Sequence, residues 1–167
     1  MQQPYVMQAV ISTLYDQLDE MEGSLPRASA TDDTVSGWSV GQQIEHTLSA
    51  LSAMSVALRR GRNEADGRRP NRFLALVLES GTIQRGRVKA PSAMLPSDHP
   101  DKKNLQRLIL KTRNRISILG GLPPQASFVH HILGPMHRDE ALQFMSIHTE
   151  HHLKIIRDIL RTSADTA

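Results

Sequence analysis

The sequence predicts an all-α protein, a four-helix bundle with a long irregular connection between its second and third helices. Four segments repeat apolar residues at the three- and four-residue spacing of an amphipathic helix. No segment shows the strict alternation of apolar and polar residues that is typical of a half-buried strand. Because the connections between the four segments are long, the pattern does not favour a simple up-and-down order of helices.

The composition fits a single domain spanning 1–167. Of the 167 residues, 39% are apolar and 22% are charged, which is enough for a core of its own. The lack of cysteine excludes disulfides, thiolate zinc sites and a cysteine nucleophile, and agrees with a reducing compartment. The N-terminus shows no signal-peptide pattern, and the longest apolar run, at 73–78, is too short to span a membrane. We therefore expect a cytoplasmic protein without a membrane partner.

The first helix is expected between Pro4 and Gly23. Proline suits a first helical turn, where its missing N–H is not needed, and glycine followed by Pro26 suits a helix end. The apolar face of this helix consists of Met7, Ile11, Leu14, Leu18 and Met21. A polar connection at 27–37 follows it.

The second helix is expected to begin at Ser39. Ser39 and Gln42 have the spacing of a capping box, and Trp38 stands where it can fold back on the helix. The main apolar face consists of Ile44, Leu48, Leu51 and Leu58. His46 lies on a different face, which is otherwise lined by the small residues Ala50, Ala53 and Ala57. A neighbouring helix can therefore approach closely and meet this histidine.

The connection at 59–100 is rich in glycine and proline, and only Phe73–Ser80 is predicted to be helical within it. An irregular segment of this length is typical of a functional loop or a lid. It is also basic, with Arg59, Arg60, Arg62, Arg68, Arg69, Arg72, Arg85, Arg87 and Lys89. Basic clusters can bind phosphate backbones, but Phe73 is the only aromatic residue there to stack on a base. We therefore favour a solvated loop over a nucleic-acid surface.

The third and fourth helices complete the predicted bundle. The third begins at a cap formed by Ser97 or Asp98 and ends at the pair of glycines at 120–121. Its apolar face consists of Leu105, Leu108, Ile109, Thr112, Ile116 and Leu119. After a loop that contains His130 and His131, the fourth helix is expected at about 138–161, followed by a frayed tail at 162–167.

Three of the eight histidines lie within five positions of the fourth helix. His148 and His152 are four residues apart, so their side chains lie on one face, together with Ala141, Phe144, Met145, Ile155, Ile156 and Ile159. A buried imidazole needs partners for both ring nitrogens, and one shared divalent ion would explain two such rings. His46, which projects from the second helix, is the candidate third ligand.

Three neutral imidazoles that leave positions open to water are typical of a catalytic rather than a structural metal site. Such an ion polarises a carbonyl or lowers the pKa of bound water or of a thiol. The alternative is that these histidines are ordinary hydrogen-bonded core residues. No nucleophilic triad and no phosphate-binding glycine loop accompanies them, so no catalytic residue is assigned.

The remaining histidines are expected to have lesser roles. His99 is interpreted as a surface residue, His137 at the start of the fourth helix as incidental to the site, and His151 as a neighbour of the site or an interface residue. His130 and His131 either pack the turn before the last helix or reach the mouth of the site. Glu45 points away from His46 on a helix and is expected to be solvated.

Several short motifs resemble the DinB/YfiT-like superfamily. They are the Trp38-Ser39 helix start, Glu45-His46 in the second helix and His148-x-x-His151-His152 in the last. An uncharacterised bacterial subgroup is similar in its Lys-Ala-Pro loop, here at 89–91, and in a His-Pro-x-x-Gly-x-Leu turn before the last helix. Here the turn at 130–136 has His131 in place of the usual proline.

The resemblance implies a four-helix bundle whose metal ligands are His46, His148 and His152. It implies nickel or zinc as the divalent ion, with iron and manganese as alternatives. Characterised relatives include transferases and isomerases that use low-molecular-weight thiols such as mycothiol or bacillithiol. We therefore expect a metal-dependent enzyme that acts on a small molecule, by thiol transfer or hydrolysis, with the arginine-rich segment as a candidate holder of an anionic thiol. The alternative is a non-catalytic binding or stress-response protein with structural histidines. A homodimer is compatible with both.

Overall fold

The computed structural model describes residues 3–61, 71–86 and 90–162. These ranges contain five α-helices and one two-stranded antiparallel sheet. The helices are α1 (Gln3–Ser24), α2 (Val40–Arg60), α3 (Arg72–Ser80), α4 (Lys102–Ile116) and α5 (Arg138–Thr162), and the strands are β1 (Ser127–His130) and β2 (Gly134–His137). The prediction of a mainly helical protein is confirmed, whereas the prediction that it lacks strands is wrong.

The four long helices contact each other in a closed cycle. Helix α1 packs on α5, α5 on α2, α2 on α4, and α4 on α1. Helices that follow each other along the chain are therefore not always neighbours, because α1 and α2 lie across the cycle. Leucine, isoleucine and methionine side chains from all four helices form one buried cluster. Helix α3 packs on α5, and the hairpin packs on α2 and α5.

Helix α2 begins as the sequence predicts. The Ser39 Oγ accepts a hydrogen bond of 3.2 Å from the Gln42 N–H, and the Gln42 Oε1 accepts one of 2.9 Å from the Ser39 N–H. Two backbone donors that a helix start leaves without intrahelical partners are thereby satisfied. The capping box therefore fixes the point at which α2 begins.

Helix α4 begins later than predicted. Its cap is Asp101, whose Oδ2 accepts a hydrogen bond of 2.8 Å from the Asn104 N–H. Neither Ser97 nor Asp98 is the cap, because Pro100 disfavours a helical conformation at the residue before it. The helix ends at Ile116, shortly before a 3-10 turn at Leu119–Gly121.

The hairpin of β1 and β2 occupies what the sequence predicts to be a loop. Ser127 pairs with His137 at its open end and His130 with Gly134 at its closed end. Gly134 has a φ of 75°, a left-handed conformation that glycine adopts without steric cost. The strands have four residues each and β2 contains Pro135, so the segment lacks the length and alternation of a recognisable strand.

Parts of the predicted irregular connection are outside the described residues, namely 62–70 and 87–89. They include five members of the basic cluster, Arg62, Arg68, Arg69, Arg87 and Lys89. The predicted frayed tail also lies outside them, except for Thr162, which ends α5. Within the described ranges, no helix combines the length and the apolar character needed to cross a membrane.

Candidate metal centre

His46 from α2 and His148 and His152 from α5 lie together in the structure. One ring nitrogen from each can be chosen so that all three lie within 4.8 Å of one another. The ring centroid of His46 is 5.6 Å from that of His148 and 4.8 Å from that of His152, and the latter two centroids are 4.6 Å apart. His46 and His152 are buried, and His148 is half-buried. The three histidines singled out in the sequence therefore form one cluster.

Hydrogen bonds define which nitrogen of His46 and of His152 is free. The Nδ1 of His46 lies 2.8 Å from the carbonyl oxygen of Met94, and the Nδ1 of His152 lies 2.7 Å from the Oε1 of Gln43. Both oxygens only accept hydrogen bonds, so each Nδ1 carries a proton and donates it. In a neutral imidazole the other nitrogen then has a lone pair. The Nε2 atoms of His46 and His152 are therefore available as ligands.

The Nε2 of His148 lies 3.3 Å from the Nε2 of His152. Two nitrogens bound to one ion at about 2.0–2.1 Å with tetrahedral geometry are about 3.4 Å apart, so this distance fits a shared ion. It also fits a hydrogen bond donated by the Nε2 of His148. The Nδ1 of His148 is buried and has no partner in the described part of the chain. The donor set is three imidazole nitrogens, a set suited to a divalent transition metal.

Burial keeps the three rings uncharged. Loss of contact with water lowers the pKa of His46 below its ordinary value and lowers the pKa of His148 to about 3. The pKa of His152 is also well below 6.5, first because of burial and second because His148 and His46 lie beside it. Metal ligation needs neutral imidazoles, so protons compete weakly with a metal at neutral pH.

Gln43 orients His152 and was not identified from the sequence. Its Oε1 accepts from His152, and its Nε2 donates to the Ser36 Oγ over 2.9 Å. That same Oγ accepts a hydrogen bond of 3.1 Å from the Trp38 N–H. The Gln43 amide is thus fixed by Ser36 through its nitrogen and in turn orients His152 through its oxygen. Gln43 lies three residues before His46 on the same face of α2, and this spacing could have identified it in the sequence.

Residues 90–97 are held against α2 next to the cluster. The Glu45 Oε2 accepts hydrogen bonds from the N–H and the Oγ of Ser97 over 2.8 and 2.7 Å. The Gln42 Nε2 donates to the Ser97 carbonyl oxygen over 3.1 Å. The expectation of a solvated Glu45 is therefore wrong, since the side chain is half-buried and holds this segment. The segment in turn supplies the Met94 carbonyl to His46.

Two further histidines lie beside the cluster. The Nδ1 of His151 donates to the Ile83 carbonyl over 3.0 Å, and its ring centroid lies 5.0 Å from that of His152. The Nδ1 of His130 accepts from the N–H groups of Ile132 and Leu133, both over 3.2 Å. His130 therefore stabilises the turn before the last helix, which is one of the two roles expected for it. His99 is exposed, as expected.

A cavity of about 390 Å³ opens beside the three histidines. Its walls are mainly apolar and come from α2, α3, the hairpin and α5. Trp38 lies at this wall with its ring centroid 5.1 Å from that of His46, so it packs back on α2 as expected. A small organic molecule can therefore reach the cluster through an apolar environment.

The basic cluster does not line this cavity within the described residues. Four of its members, Arg59, Arg60, Arg72 and Arg85, are described, and none of them contributes to the cavity wall. Arg85 instead forms an ion pair of 2.7 Å with Asp158. The described arginines are therefore not placed to hold an anionic thiol over the cluster.

Comparisons of this chain with protein-family models, with curated proteins and with solved structures found no match.

Proposed function

We propose that this chain is a divalent-metal-dependent enzyme whose ion is held by the Nε2 atoms of His46, His148 and His152. The observation that carries the proposal is the pair of Nδ1 hydrogen bonds. Because His46 donates to Met94 and His152 donates to Gln43, two helices present free Nε2 lone pairs to one cluster. In metal-bound histidines, the ring nitrogen that does not bind the metal usually donates a hydrogen bond in this way.

We also propose that the fold is a four-helix bundle of the DinB/YfiT-like superfamily. The closed cycle of contacts among α1, α5, α2 and α4 supports a bundle, with α3 and the hairpin as additions. The ligand pattern supports the superfamily, because one histidine lies on the second helix and two lie on the last. Three imidazoles suit nickel or zinc, and iron or manganese is the alternative.

The proposed reaction is thiol transfer to a small electrophile or hydrolysis of a small molecule. When bound, a divalent ion supplies Lewis-acid chemistry, which polarises a carbonyl or lowers the pKa of a thiol or water. The chain has no cysteine, so a thiol nucleophile must come from a second substrate, such as a low-molecular-weight thiol. Gln43 and the Met94 carbonyl orient the ligands, and the apolar walls limit access of water to the reacting groups.

The test is elemental analysis of untagged protein purified without chelators. We expect close to one divalent ion per chain, and we expect His46→Ala and His148→Ala each to lose most of it. His99→Ala is the matched control, because His99 is exposed and outside the cluster, and this variant should retain the ion. Independent partial losses in the His46 and His148 variants would argue against one shared ion.

A non-catalytic binding protein is the second candidate. The hydrogen bonds of His46 and His152, together with a hydrogen bond between His148 and His152, form a network that is possible without an ion. Purified protein that contains no metal and gains no thermal stability from any added divalent ion would favour this candidate. The metal-dependent proposal would then be abandoned.

A further inference from the structure

The described residues that line the cavity beside the cluster are mainly apolar. Among the described residues that line it there is no aspartate, glutamate, lysine or arginine. Its apolar lining includes Phe73, Val77, Ile83, Phe128, Leu133 and Phe144. In the metal-free chain, a charged group loses its hydration against these described walls without gaining a counter-charge, which is costly. The volume of about 390 Å³ lies at the small end of the usual range of about 300–1,000 Å³ for ligand pockets.

His130 gives this apolar cavity a polar group of defined character. Its Nδ1 accepts two backbone hydrogen bonds, from Ile132 and Leu133, so this nitrogen has the lone pair. In a neutral ring the proton is then on Nε2. Burial, together with the neighbouring His131, lowers the pKa of His130 to about 4, so the ring is neutral at pH 7. His130 lines the cavity, and its Nε2 has no hydrogen-bond partner among the described residues.

The position of His130 is fixed by its neighbours. Its ring stacks on that of His131 at a centroid distance of 4.5 Å, and it meets the rings of Phe128 and Phe144 edge to face at 6.4 and 5.9 Å. Phe144 is also 5.9 Å from His148. Phe144 is therefore in ring contact with both His130 and His148, and both histidines line the same cavity.

We propose that the cavity binds a neutral, mainly apolar small molecule that carries a hydrogen-bond acceptor such as a carbonyl oxygen, and that the His130 Nε2–H donates to this acceptor. This inference rests on the proposed function, because it names the class of substrate that the cavity binds. A neutral imidazole selects for an acceptor without adding a charge to the walls. His130 is thus a specificity-determining residue, in addition to its role in the hairpin turn.

The test compares three aromatic probes of similar size by 19F NMR titration of the full chain. They are 4-fluoroacetophenone, which has an acceptor, 1-ethyl-4-fluorobenzene, which has none, and 4-fluorobenzoate, which is charged. The chain is titrated as purified and again after removal of divalent ions. We expect the ketone to bind about three- to tenfold more tightly than the hydrocarbon in both states, as one neutral hydrogen bond allows. We also expect the benzoate to bind most weakly to the metal-free chain.

Two variants separate recognition from turn formation. His130→Asn keeps an acceptor near the position of Nδ1, and so preserves the turn, but lacks the distal N–H. His130→Gln keeps an N–H near the position of Nε2 but loses the turn acceptor. We expect the ketone-to-hydrocarbon preference to disappear in the asparagine variant and to persist in the glutamine variant. An unchanged preference in the asparagine variant overturns the proposal, as does benzoate binding as tightly as the ketone to the metal-free chain.

Metal content measured on the same samples keeps the two proposals apart. A chain without metal that still prefers the ketone supports this inference and contradicts the metal-dependent function. A chain that binds one ion but shows no preference between ketone and hydrocarbon supports the function and overturns this inference.

Discussion

The Gln43 Oε1 accepts a hydrogen bond of 2.7 Å from the Nδ1 of His152, although the two residues are 109 positions apart in the chain. The bond joins α2 to α5 and directs the Nε2 of His152 towards the Nε2 of His148, 3.3 Å away. Gln43 is itself almost fully buried, with 2% of its surface exposed, and its amide nitrogen is held by Ser36. The glutamine therefore sets the direction of a candidate ligand without being one.

Gln43→Leu is expected to lower the affinity for zinc or nickel about 10- to 100-fold, the effect usual for loss of an outer partner of a metal-bound histidine. Leucine has a similar volume but cannot accept the proton of His152, so the ring loses its fixed orientation. The measurement is competition with a chromophoric chelator at pH 7.5.

Gln17→Leu is the matched control for this variant. Gln17 is also buried, with 7% exposed, and its amide also contacts α5, donating to the Ser146 carbonyl over 3.1 Å. Because this bond is made outside the histidine cluster, we expect Gln17→Leu to change stability but not metal affinity. Equal losses of affinity in both variants would contradict an orienting role for Gln43.

Glu45→Ala is expected to release residues 90–97 from α2. Glu45 accepts both hydrogen bonds from Ser97, and the released segment carries the Met94 carbonyl that holds His46. We predict faster proteolysis within 90–97 and a severalfold lower metal affinity, a smaller loss than in Gln43→Leu because the Gln42 bond to Ser97 remains. Glu79→Ala on the exposed face of α3 removes the same charge and should change neither property.

The helical part of the fold and the histidine cluster follow from local patterns. The spacing of His148 and His152 places both rings on one face whatever surrounds them, and the capping box of Ser39 and Gln42 defines the start of α2. The encounter of His46 with these two rings was expected from the small residues around it and from the resemblance.

The features not predicted from the sequence depend on contacts between distant segments. The role of Gln43 requires His152 to lie beside it, and the role of Glu45 requires Ser97 to fold back on α2. The hairpin has four-residue strands whose pairing depends on packing against α2 and α5, so no local alternation reveals it. Each of these contacts is decided by tertiary packing rather than by periodicity.

Acid is expected to destabilise the metal-free protein between about pH 6.5 and pH 4. The pKa values of His46, His148, His151 and His152 are lowered by burial, and that of His130 is lowered to about 4, whereas unfolded histidine titrates near 6.5. In this range the unfolded chain binds more protons than the native chain, so stability falls as pH falls. Each such histidine contributes at most about 1.4 kcal/mol per pH unit.

Urea unfolding of the metal-free chain at pH 7.5, 6 and 5 measures this dependence. The pKa of Asp158 is also lowered, first by its hydrogen bond with Arg85. The titration of Asp158 changes stability only below its ordinary pKa of 3.8, and thus outside this pH range. His130→Asn should show a shallower dependence, because one of the titrating groups is removed. Equal stability at pH 7.5 and pH 5 would show that the histidines are not buried as described.

Gly61→Ala is expected to destabilise the fold by about 2 kcal/mol or more, because overlap in a packed region forces backbone to move. Gly61 follows α2, and a Cβ there would overlap the carbonyl oxygen of Ser127, which is fully buried at the start of β1. Gly23→Ala is the control, since a Cβ at this position near the end of α1 meets no atom within 4 Å. Its helical position predicts a gain of up to about 0.5–1 kcal/mol.

The Gly61→Ala variant also tests whether the hairpin and the helices have separate functions. His130 lies on β1, whereas His46, His148 and His152 lie on α2 and α5. Displacing β1 in Gly61→Ala should therefore weaken binding of 4-fluoroacetophenone, while zinc affinity changes little as long as the chain remains folded. The two affinities are measured at a temperature where circular dichroism shows full helicity. A parallel loss of both would mean that the hairpin supports the metal candidates directly, and unchanged ketone binding would mean that β1 does not position His130.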